Sequence, residues 1–227
     1  MALKLKTPPA SEPLTLSETK AYLKVTGTAD DTLLSQIIAT VRQSCEGWTG
    51  RALVTQTWTL WRDRFPHREK DRLPHDGYFE LPVDFADEAQ HVLEIPRPPL
   101  QSVTFLKTYD TGNPATVFDA SQYFVDTSSE PGRIVLNPSS SWPTGLRPAN
   151  AVEVEFAAGY GDVSAVPDAL KQGMLWWIKL LVADRNWLFE LGEPTPGLIE
   201  FNRSDIPQPV VSLWSPYKIY SLNQGWP

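Results

Sequence analysis

The chain has 227 residues, of which 41% are hydrophobic and 11% aromatic, so it can bury a core as one large domain or two small ones. Its single cysteine, Cys45, excludes an intramolecular disulfide or a cysteine-based zinc site, and we expect a buried small hydrophobe. The net charge of −7 argues against a general nucleic-acid-binding protein, because such binding depends on clustered Lys and Arg. The N-terminus lacks the apolar stretch of a signal peptide and no run of about 18 apolar residues follows, which predicts a soluble, untargeted protein.

The N-terminal part predicts an extended arm and then a pair of helices. Residues 1–14 contain prolines and show no periodicity, so we expect an arm. Thr15 and Glu18 have the spacing of a capping box, in which each side chain satisfies a free backbone N–H group at a helix start. A second run of apolar residues at helical spacing stops at Gly50, which is placed to end that helix. Residues 15–51 are therefore predicted as a helical pair.

The rest of the chain predicts a β domain, one more helix and a tail. Residues 52–158 form short alternating runs divided by Pro, Gly, Asn and Asp, which predict six or seven antiparallel strands. Helical periodicity returns at Pro167, and residues 159–191 are predicted to contain a long helix. Residues 192–227 are rich in proline, which predicts an extended tail. The predicted fold class is α+β: a helical core of two N-terminal helices and a long C-terminal helix, an inserted antiparallel β domain and an extended C-terminal tail.

A D-T-G triplet begins at Asp110, and aspartic proteases use this triplet to place a catalytic carboxylate. Such a protease needs a second identical carboxylate, because the pair shares a proton. The only related stretch, D-T-S at Asp126, lacks the glycine. The residues from Asp110 to Pro114 suit a tight connection, so we predict a hairpin turn between two strands.

The stretch P-R-P-P at residues 96–99 has the PxxP spacing of a polyproline ligand. Such a ligand must be exposed, whereas the flanking residues Ile95 and Leu100 are of types that enter a sheet. We therefore predict a lead-in to a strand.

Metal-ligating and acid–base residues are present but form no recognisable motif. The three histidines, His67, His75 and His91, lie in polar, loop-like sequence, and only Asp87 has the i,i+4 spacing to one of them, His91, that places two ligands on one helix face. Carboxylates of the β region could include a glycosidase pair, although no pair is singled out. They include Asp84, Asp87 and Glu88. We predict no catalytic, cofactor-binding or metal-binding residues.

Nine tryptophans are many for this length, and their placement indicates interaction surfaces. Trp176 and Trp177 are adjacent on a predicted helix, so one must point about 100° away from the other, toward another element or another chain. The predicted tail carries aromatic residues but has little core of its own. Because aromatic anchors dominate interfaces, we predict partner-binding residues in this tail. These are Trp214, Tyr217, Tyr220 and Trp226.

Several short stretches, each weak alone, form an ordered series from Pro13 to Tyr220. They are "PLTLSETKAYLKV", "DDTLLSQIIATVRQSCEGWTGRALVTQTW", "IPRPPLQSV", "YFVDTSSEPGRI", "SWP", "VEVEFAAGYGD", "VPDALKQGMLWWI" and "LWSPYKIY". In order and spacing this series resembles the head-tail connector, or adaptor, proteins of tailed bacteriophages. The chain departs from the shorter all-helical members by its long β region and by its tail rich in Pro and Trp.

The resemblance implies a homo-oligomeric ring, usually of twelve copies, that lies below the portal at the head vertex and continues the DNA channel. It implies no catalysis and no cofactor. The implied partners are the other copies in the ring, the portal protein and a neck or tail completion protein. The predicted anchors of the C-terminal segment would bind the portal or a neighbouring subunit. The implied location is the head–tail junction of a virion that is assembled in the host cytoplasm. An acidic chain suits such a channel, because a negative wall repels phosphates and lets DNA pass without binding.

A second interpretation belongs to another class of protein, a carbohydrate-binding or glycoside-processing β domain. It depends on Trp58, Trp61 and Trp142, which lie in the β region, where stacking platforms for sugars are found. It predicts an aromatic-lined cleft with carboxylates and glycan binding by an isolated monomer. The plainer interpretation of these tryptophans is core and interface packing.

Overall fold

The computed structural model describes residues 1–66, 91–190 and 206–219. Within these ranges the chain forms eight strands and four helices. The strands are β1 (Ala2–Thr7), β2 (Gln56–Arg62), β3 (Val92–Glu94), β4 (Leu100–Tyr109), β5 (Ala115–Val117), β6 (Tyr123–Asp126), β7 (Arg133–Leu136) and β8 (Val152–Ala158). The helices are α1 (Leu16–Leu23), α2 (Asp31–Thr49), α3 (Asp168–Glu190) and α4 (Gln208–Trp214).

The chain divides into two compact units, each made from two separate stretches. The sheet unit consists of Met1–Pro8 and Thr55–Gly159. The helical unit consists of Pro9–Val54 and Tyr160–Pro227. All eight described strands lie in the sheet unit and all four described helices lie in the helical unit.

The sheet unit contains two antiparallel sheets. The order of strands is β1-β2-β8-β4-β5 in the larger sheet and β3-β7-β6 in the smaller one. In the central strand β8, Val154 and Phe156 are fully buried and alternate with Glu153 and Glu155. Successive side chains of a strand point to opposite faces, so this sheet has one apolar face and one face that carries charge.

Gly132, just before β7, allows a close approach between two parts of the sheet unit. Its carbonyl accepts a hydrogen bond from the Ile95 N–H group at 2.8 Å. A Cβ built on Gly132 would lie 2.4 Å from the Cβ of Leu100, so a larger residue does not fit here. Ile95 and Leu100 are both buried, and residues 96–99 connect them as the predicted lead-in to β4.

The helical unit begins with the predicted capping box. The Glu18 N–H group donates to Oγ1 of Thr15 at 3.1 Å, and the Thr15 N–H group donates to Oε2 of Glu18 at 2.8 Å. The Thr15 hydroxyl also donates to Oε2 of Glu18 at 2.7 Å. This bond first, and then the one from the Thr15 N–H group, lower the pKa of the Glu18 carboxyl, because they stabilise its ionised form. At the other end of the pair, Gly50 follows α2 with φ of 75° and its N–H group bonds to the Glu46 carbonyl, as predicted.

The core of the helical unit is formed by three helices. Its buried residues include Ile38, Val41 and Cys45 of α2, Leu170, Met174 and Ile178 of α3, and Val210 and Trp214 of α4. Cys45 is fully buried, as predicted, and burial raises the pKa of its thiol. Although α3 has 23 residues, no helix in the described part of the chain is long and apolar enough to cross a membrane.

A buried ion pair fixes the chain that follows α2. Nη1 of Arg42 donates to Oε2 of Glu46 at 2.8 Å, and Nε of Arg42 donates to Glu12 at 2.7 Å. The other carboxylate oxygen of Glu46 accepts a hydrogen bond from the Leu53 N–H group at 3.0 Å. A buried charge needs such partners, and here they hold the chain at both ends of the α1–α2 region.

The predicted fold class is wrong. The described chain is a sheet-rich α+β fold with four helices and two antiparallel sheets, and its C-terminal helix, α4, has only seven residues. Residues 1–14, predicted as an arm, contain β1, in which leucines and lysines alternate with the period of a strand. Helix α4 was not predicted because prolines precede it. Pro207 and Pro209 are tolerated at its start, since the first N–H groups of a helix have no acceptor within the helix.

Candidate interaction surfaces

Trp214, a predicted anchor for a partner, is placed by α4 inside the helical unit. It has no exposed surface, and its Nε1 donates a hydrogen bond to the Leu170 carbonyl at 3.2 Å. Its ring centroid lies 6.2 Å from that of Trp48 and 5.7 Å from that of Trp177. A buried indole requires a partner for its N–H group, and this one has it. Trp214 is therefore a core residue of its own chain.

Helix α3 provides a notch for this indole at Gly173. A Cβ at this position would lie 2.3 Å from Nε1 and 2.9 Å from Cδ1 of Trp214. Inside a helix, Ala is otherwise preferred to Gly by about 1 kcal/mol. The glycine is explained by the tryptophan that packs against it.

The last described residues lie against the C-terminal end of α2. Nε of Arg51 donates to the Tyr217 carbonyl at 2.6 Å, and the Ile219 N–H group donates to the Thr49 carbonyl at 2.9 Å. Both bonds involve the backbone of the C-terminal segment. They hold it to the helical unit as far as Ile219.

The four predicted anchors lie in different environments. Trp214 is buried, so for this residue the argument that the C-terminal segment has no core to pack into is wrong. Tyr217 is half-buried, with its backbone held by Arg51. Tyr220 and Trp226 lie outside the described residues. Partner binding by this segment stays a prediction.

The adjacent tryptophans of α3 point in different directions, as predicted. Trp177 packs against Trp214, whereas Trp176 is 37% exposed. Leu181, five residues after Trp176 on the same helix, is also exposed. Part of the surface of α3 is therefore apolar.

The D-T-G stretch forms the predicted hairpin turn, which joins β4 to β5. Oδ1 of Asp110 accepts a hydrogen bond from the Gly112 N–H group at 2.7 Å, and the Asp110 carbonyl accepts one from the Asn113 N–H group at 3.0 Å. Asn113 has φ of 71°, in the left-handed region that asparagine tolerates. The carboxylate of Asp110 orders the turn.

Asp126, the only sequence relative of this carboxylate, ends β6 and is engaged locally. Its Oδ2 accepts a hydrogen bond from Nε of Arg133 at 2.8 Å, and its Oδ1 accepts one from the Ser128 N–H group at 2.9 Å. The arginine first, and then the serine N–H group, lower the pKa of Asp126 to about 2. These contacts do not join Asp126 to Asp110.

The residues considered for metal or acid–base chemistry are mostly outside the described ranges. These are His67, His75, Asp84, Asp87 and Glu88. His91 is described; it is exposed, and its carbonyl accepts a hydrogen bond from the Leu136 N–H group at 2.9 Å. Among the residues that the structure describes, no group of three or more His, Cys, Asp and Glu side chains is placed to hold a metal ion.

The tryptophans of the sheet unit pack against other side chains. Trp142 stacks on Phe65 with centroids 4.3 Å apart and planes at 6°. The Trp61 ring lies 5.7 Å from the Tyr109 ring, and the Tyr109 hydroxyl donates to Glu153 at 2.7 Å. This hydrogen bond raises the pKa of Tyr109, because it stabilises the neutral phenol.

Sequence reasoning missed four exposed apolar residues in the sheet unit. Met1 is 66% exposed and Leu5 38% exposed at the β1 edge, Val117 is 61% exposed on β5, and Phe124 is 63% exposed on β6. Alternation along each strand predicts which residues share a face, but only the order of strands shows that β1, β5 and β6 are edges.

No protein-family model and no curated protein matches this chain. Solved structures share its fold over the full length. A chain in the neck of an empty gene transfer agent (GTA) particle, computed with C6 symmetry, has 19% identity, TM-score 0.66 and coverage of 100% of each chain. A chain of the virion of the native GTA particle has 19% identity, TM-score 0.64 and coverage of 99% of each chain. A chain in the neck of the native GTA particle, computed with C12 symmetry, has 21% identity, TM-score 0.59 and coverage of 100% of each chain. At this identity the likeness establishes the fold.

Proposed function

We propose that this chain is a structural component of the neck of a phage-like particle, a head-tail connector (adaptor) that forms a ring below the portal. The observation that carries the proposal is the likeness to a neck chain over 100% of both sequences, at a TM-score of 0.66. A match of this extent includes the sheet unit and the helical unit together, so it is more specific than the likeness of one common domain. The ordered stretches from Pro13 to Tyr220 support the same role from the sequence.

The ring is supported by the symmetry of the comparison structures, whose necks are described with C6 and C12 symmetry. Identical subunits close into a ring when each uses two different surfaces to contact its two neighbours. We propose twelve copies around a channel through which DNA passes without specific binding. The net charge of −7 supports this role, because an acidic wall repels phosphates.

The proposed role is structural and assigns no reaction to the chain. Its proposed partners are the portal protein and a neck or tail completion protein. Portal attachment is assigned to the segment beyond Ile219, with Tyr220 and Trp226 as anchors and Tyr217 at its base. The backbone bonds of Tyr217 and Ile219 to the helical unit support this assignment, because they give the segment a defined starting point.

The carbohydrate-binding interpretation has no observation in its favour among the described residues. One face of Trp142 is covered by Phe65, and the Glu153 carboxylate is occupied by the Tyr109 hydroxyl. We therefore do not propose it.

The proposed function is tested in cells that produce the particle. Deleting the gene should give filled heads and separate tails in electron micrographs, and the full chain supplied in trans should restore joined particles. The protein should also be found by mass spectrometry in purified necks. Normal tailed particles in the deletion strain would overturn the proposal.

A truncation tests portal attachment separately. Removing residues 220–227 leaves every described residue in place, so the subunit should fold while heads lack stable tails. Removing residues 210–227 also removes Trp214 and should unfold the helical unit. Joined particles from the shorter truncation would assign portal attachment to another surface.

A further inference from the structure

The exposed apolar residues of the described chain are concentrated at sheet edges. Six large hydrophobic residues are exposed, and four of them are in the sheet unit. Met1 and Leu5 belong to the β1 edge, Val117 lies on β5 and Phe124 lies on β6. An outer strand has a neighbouring strand on one side only, so another chain can approach its free backbone groups and cover the exposed apolar side chains beside them.

Leu5 and Val117 lie at opposite ends of the larger sheet, and Phe124 lies on the smaller one. Strands β1 and β5 are the two outer strands of the larger sheet, in the order β1-β2-β8-β4-β5. Strand β6 is an outer strand of the smaller sheet, and the Phe118 ring just after β5 stacks on the Tyr123 ring at the start of β6 with centroids 5.9 Å apart, so the two outer strands are close together there. We call the first surface the β1 edge and the second the β5–β6 edge. Two different surfaces on opposite sides are what a head-to-tail contact requires.

The outer strand β5 is short and carries no charge. Proteins guard edges with Lys, Pro, bulges or very short strands, and of these β5 has only its shortness, because its three residues are Ala, Thr and Val, all exposed. On the smaller sheet, Phe124 is in register with Val135, which is in register with Val92. These three residues form an apolar row across all three strands. Such a row can bury against a partner without leaving a charge unpaired.

Charge favours contact between unlike edges over contact between like ones. The β1 edge carries Lys4 and Lys6, of which Lys6 pairs with Glu155 of its own sheet. Two β1 edges would bring these lysines together, which disfavours a symmetric pair. The β5–β6 edge carries exposed carboxylates on both sides of β5, at Asp110 and Asp119. The nearby cation Lys107 is turned over the Phe105 ring, with Nζ 3.8 Å from the centroid.

We propose that the β1 edge of one copy packs against the β5–β6 edge of the next copy, and that this contact between sheet units closes the ring. The inference rests on the proposed function, which supplies the ring. Phe124 and Val117 are the apolar anchors on one side, and Leu5 and Met1 cover them from the other. Lys4 of one copy faces the acidic side of its neighbour.

Paired cysteines test this contact in assembled particles. Leu5→Cys and Val117→Cys are introduced into the same chain, particles are purified, and a short bis-maleimide crosslinks neighbouring thiols. Cys45 is fully buried and does not react in the folded protein. A head-to-tail contact gives a ladder of crosslinked species that extends to the complete ring. Each single variant should give no ladder, because one cysteine per chain can link at most two chains.

A matched control uses Val117→Cys with Leu181→Cys, since Leu181 is as exposed as Leu5 but lies on α3. This pair should give no ladder. A ladder from the control but not from Leu5→Cys with Val117→Cys would overturn the edge contact and assign the ring contact to α3. Particles that contain the double variant yet give no crosslinked species would also overturn it while leaving the proposed function intact. Wild-type necks that lack the protein altogether would overturn both the edge contact and the proposed function.

Discussion

The C-terminal segment and the sheet edges both carry large apolar side chains in sequence that is otherwise polar, but the fold treats them differently. Trp214 is completely buried, although it follows several prolines. Phe124 is 63% exposed, although it lies in a regular strand. The number and type of apolar residues in a stretch do not distinguish the two cases.

The difference is caused by what the rest of the chain offers each side chain. Trp214 meets a notch at Gly173, a carbonyl acceptor at Leu170 and the rings of Trp48 and Trp177. Phe124 lies on an outer strand, where β7 covers one side of its backbone and no described strand covers the other. Exposed apolar surface is therefore expected on the outer strands of a sheet, and this is why we propose the contact with another copy at those strands.

The largest effect is expected for Trp214→Ala. It removes a fully buried indole from between α2 and α3, and such truncations destabilise by about 3–5 kcal/mol because the cavity does not collapse completely. The free energy of unfolding of the helical unit, measured by urea titration with far-UV circular dichroism, should fall by this amount. The control Trp176→Ala should lose no more than about 1 kcal/mol, because that ring is 37% exposed. Equal losses in both variants would show that the indole of Trp214 is not a core side chain.

The notch itself is tested by Gly173→Ala, which is expected to destabilise by about 1–3 kcal/mol because its Cβ would overlap the indole. The matched control is Gly47→Ala in α2, where a Cβ would meet no atom within 4 Å. That substitution should stabilise the protein by up to about 1 kcal/mol through helix propensity. Thermal unfolding of both variants gives the comparison. A stabilised Gly173→Ala variant would refute the notch.

Local signals in the sequence predicted the features that depend on neighbouring residues. The capping box of Thr15 and Glu18, the end of α2 at Gly50 and the turn at Asp110 each depend on a few consecutive residues. Strand β1 was missed because six residues of alternation are a weak signal until β2 is known to pair with them. Its pairing partners on β2 lie at least 50 residues away, and no local pattern specifies them.

The candidate site was harder to predict for the same reason. The aromatic content of the C-terminal segment predicted an exposed anchor at Trp214, but burial there depends on Gly173 in a distant helix. The exposure of Val117 and Phe124 depends on strand order, since the same residues on β8 would be core. Side-chain type indicates what can be buried, and topology determines what is.

Phe124→Ser sharpens the comparison, because its effects on stability and on assembly should separate. The free energy of unfolding of the isolated subunit should change by no more than about 1 kcal/mol, the range of a cross-strand pair with Val135. Joining of heads to tails should nevertheless be lost, because the anchor of the β5–β6 edge is removed in every copy. Subunit stability is measured by urea titration, and joined particles are counted in electron micrographs. Wild-type joining by this variant would show that Phe124 is not at a contact.

The smallest effect concerns Asp126, which lies two residues from Phe124 on β6 and forms an ion pair with Arg133 of β7. The folded-state pKa of about 2 lies below the ordinary value of about 3.9 for aspartate, so the ionised form is favoured by folding. The stabilisation is therefore complete above about pH 4 and is lost as the pH falls toward 2. The difference in unfolding midpoint between the wild type and Asp126→Asn should shrink over this interval. Arg133→Gln removes the main cause of the lowered pKa and leaves the hydrogen bonds from Ser128 and Ser129, so in that background Asp126→Asn should change the pH dependence less. An unchanged slope in all variants would show that the ion pair does not form in solution.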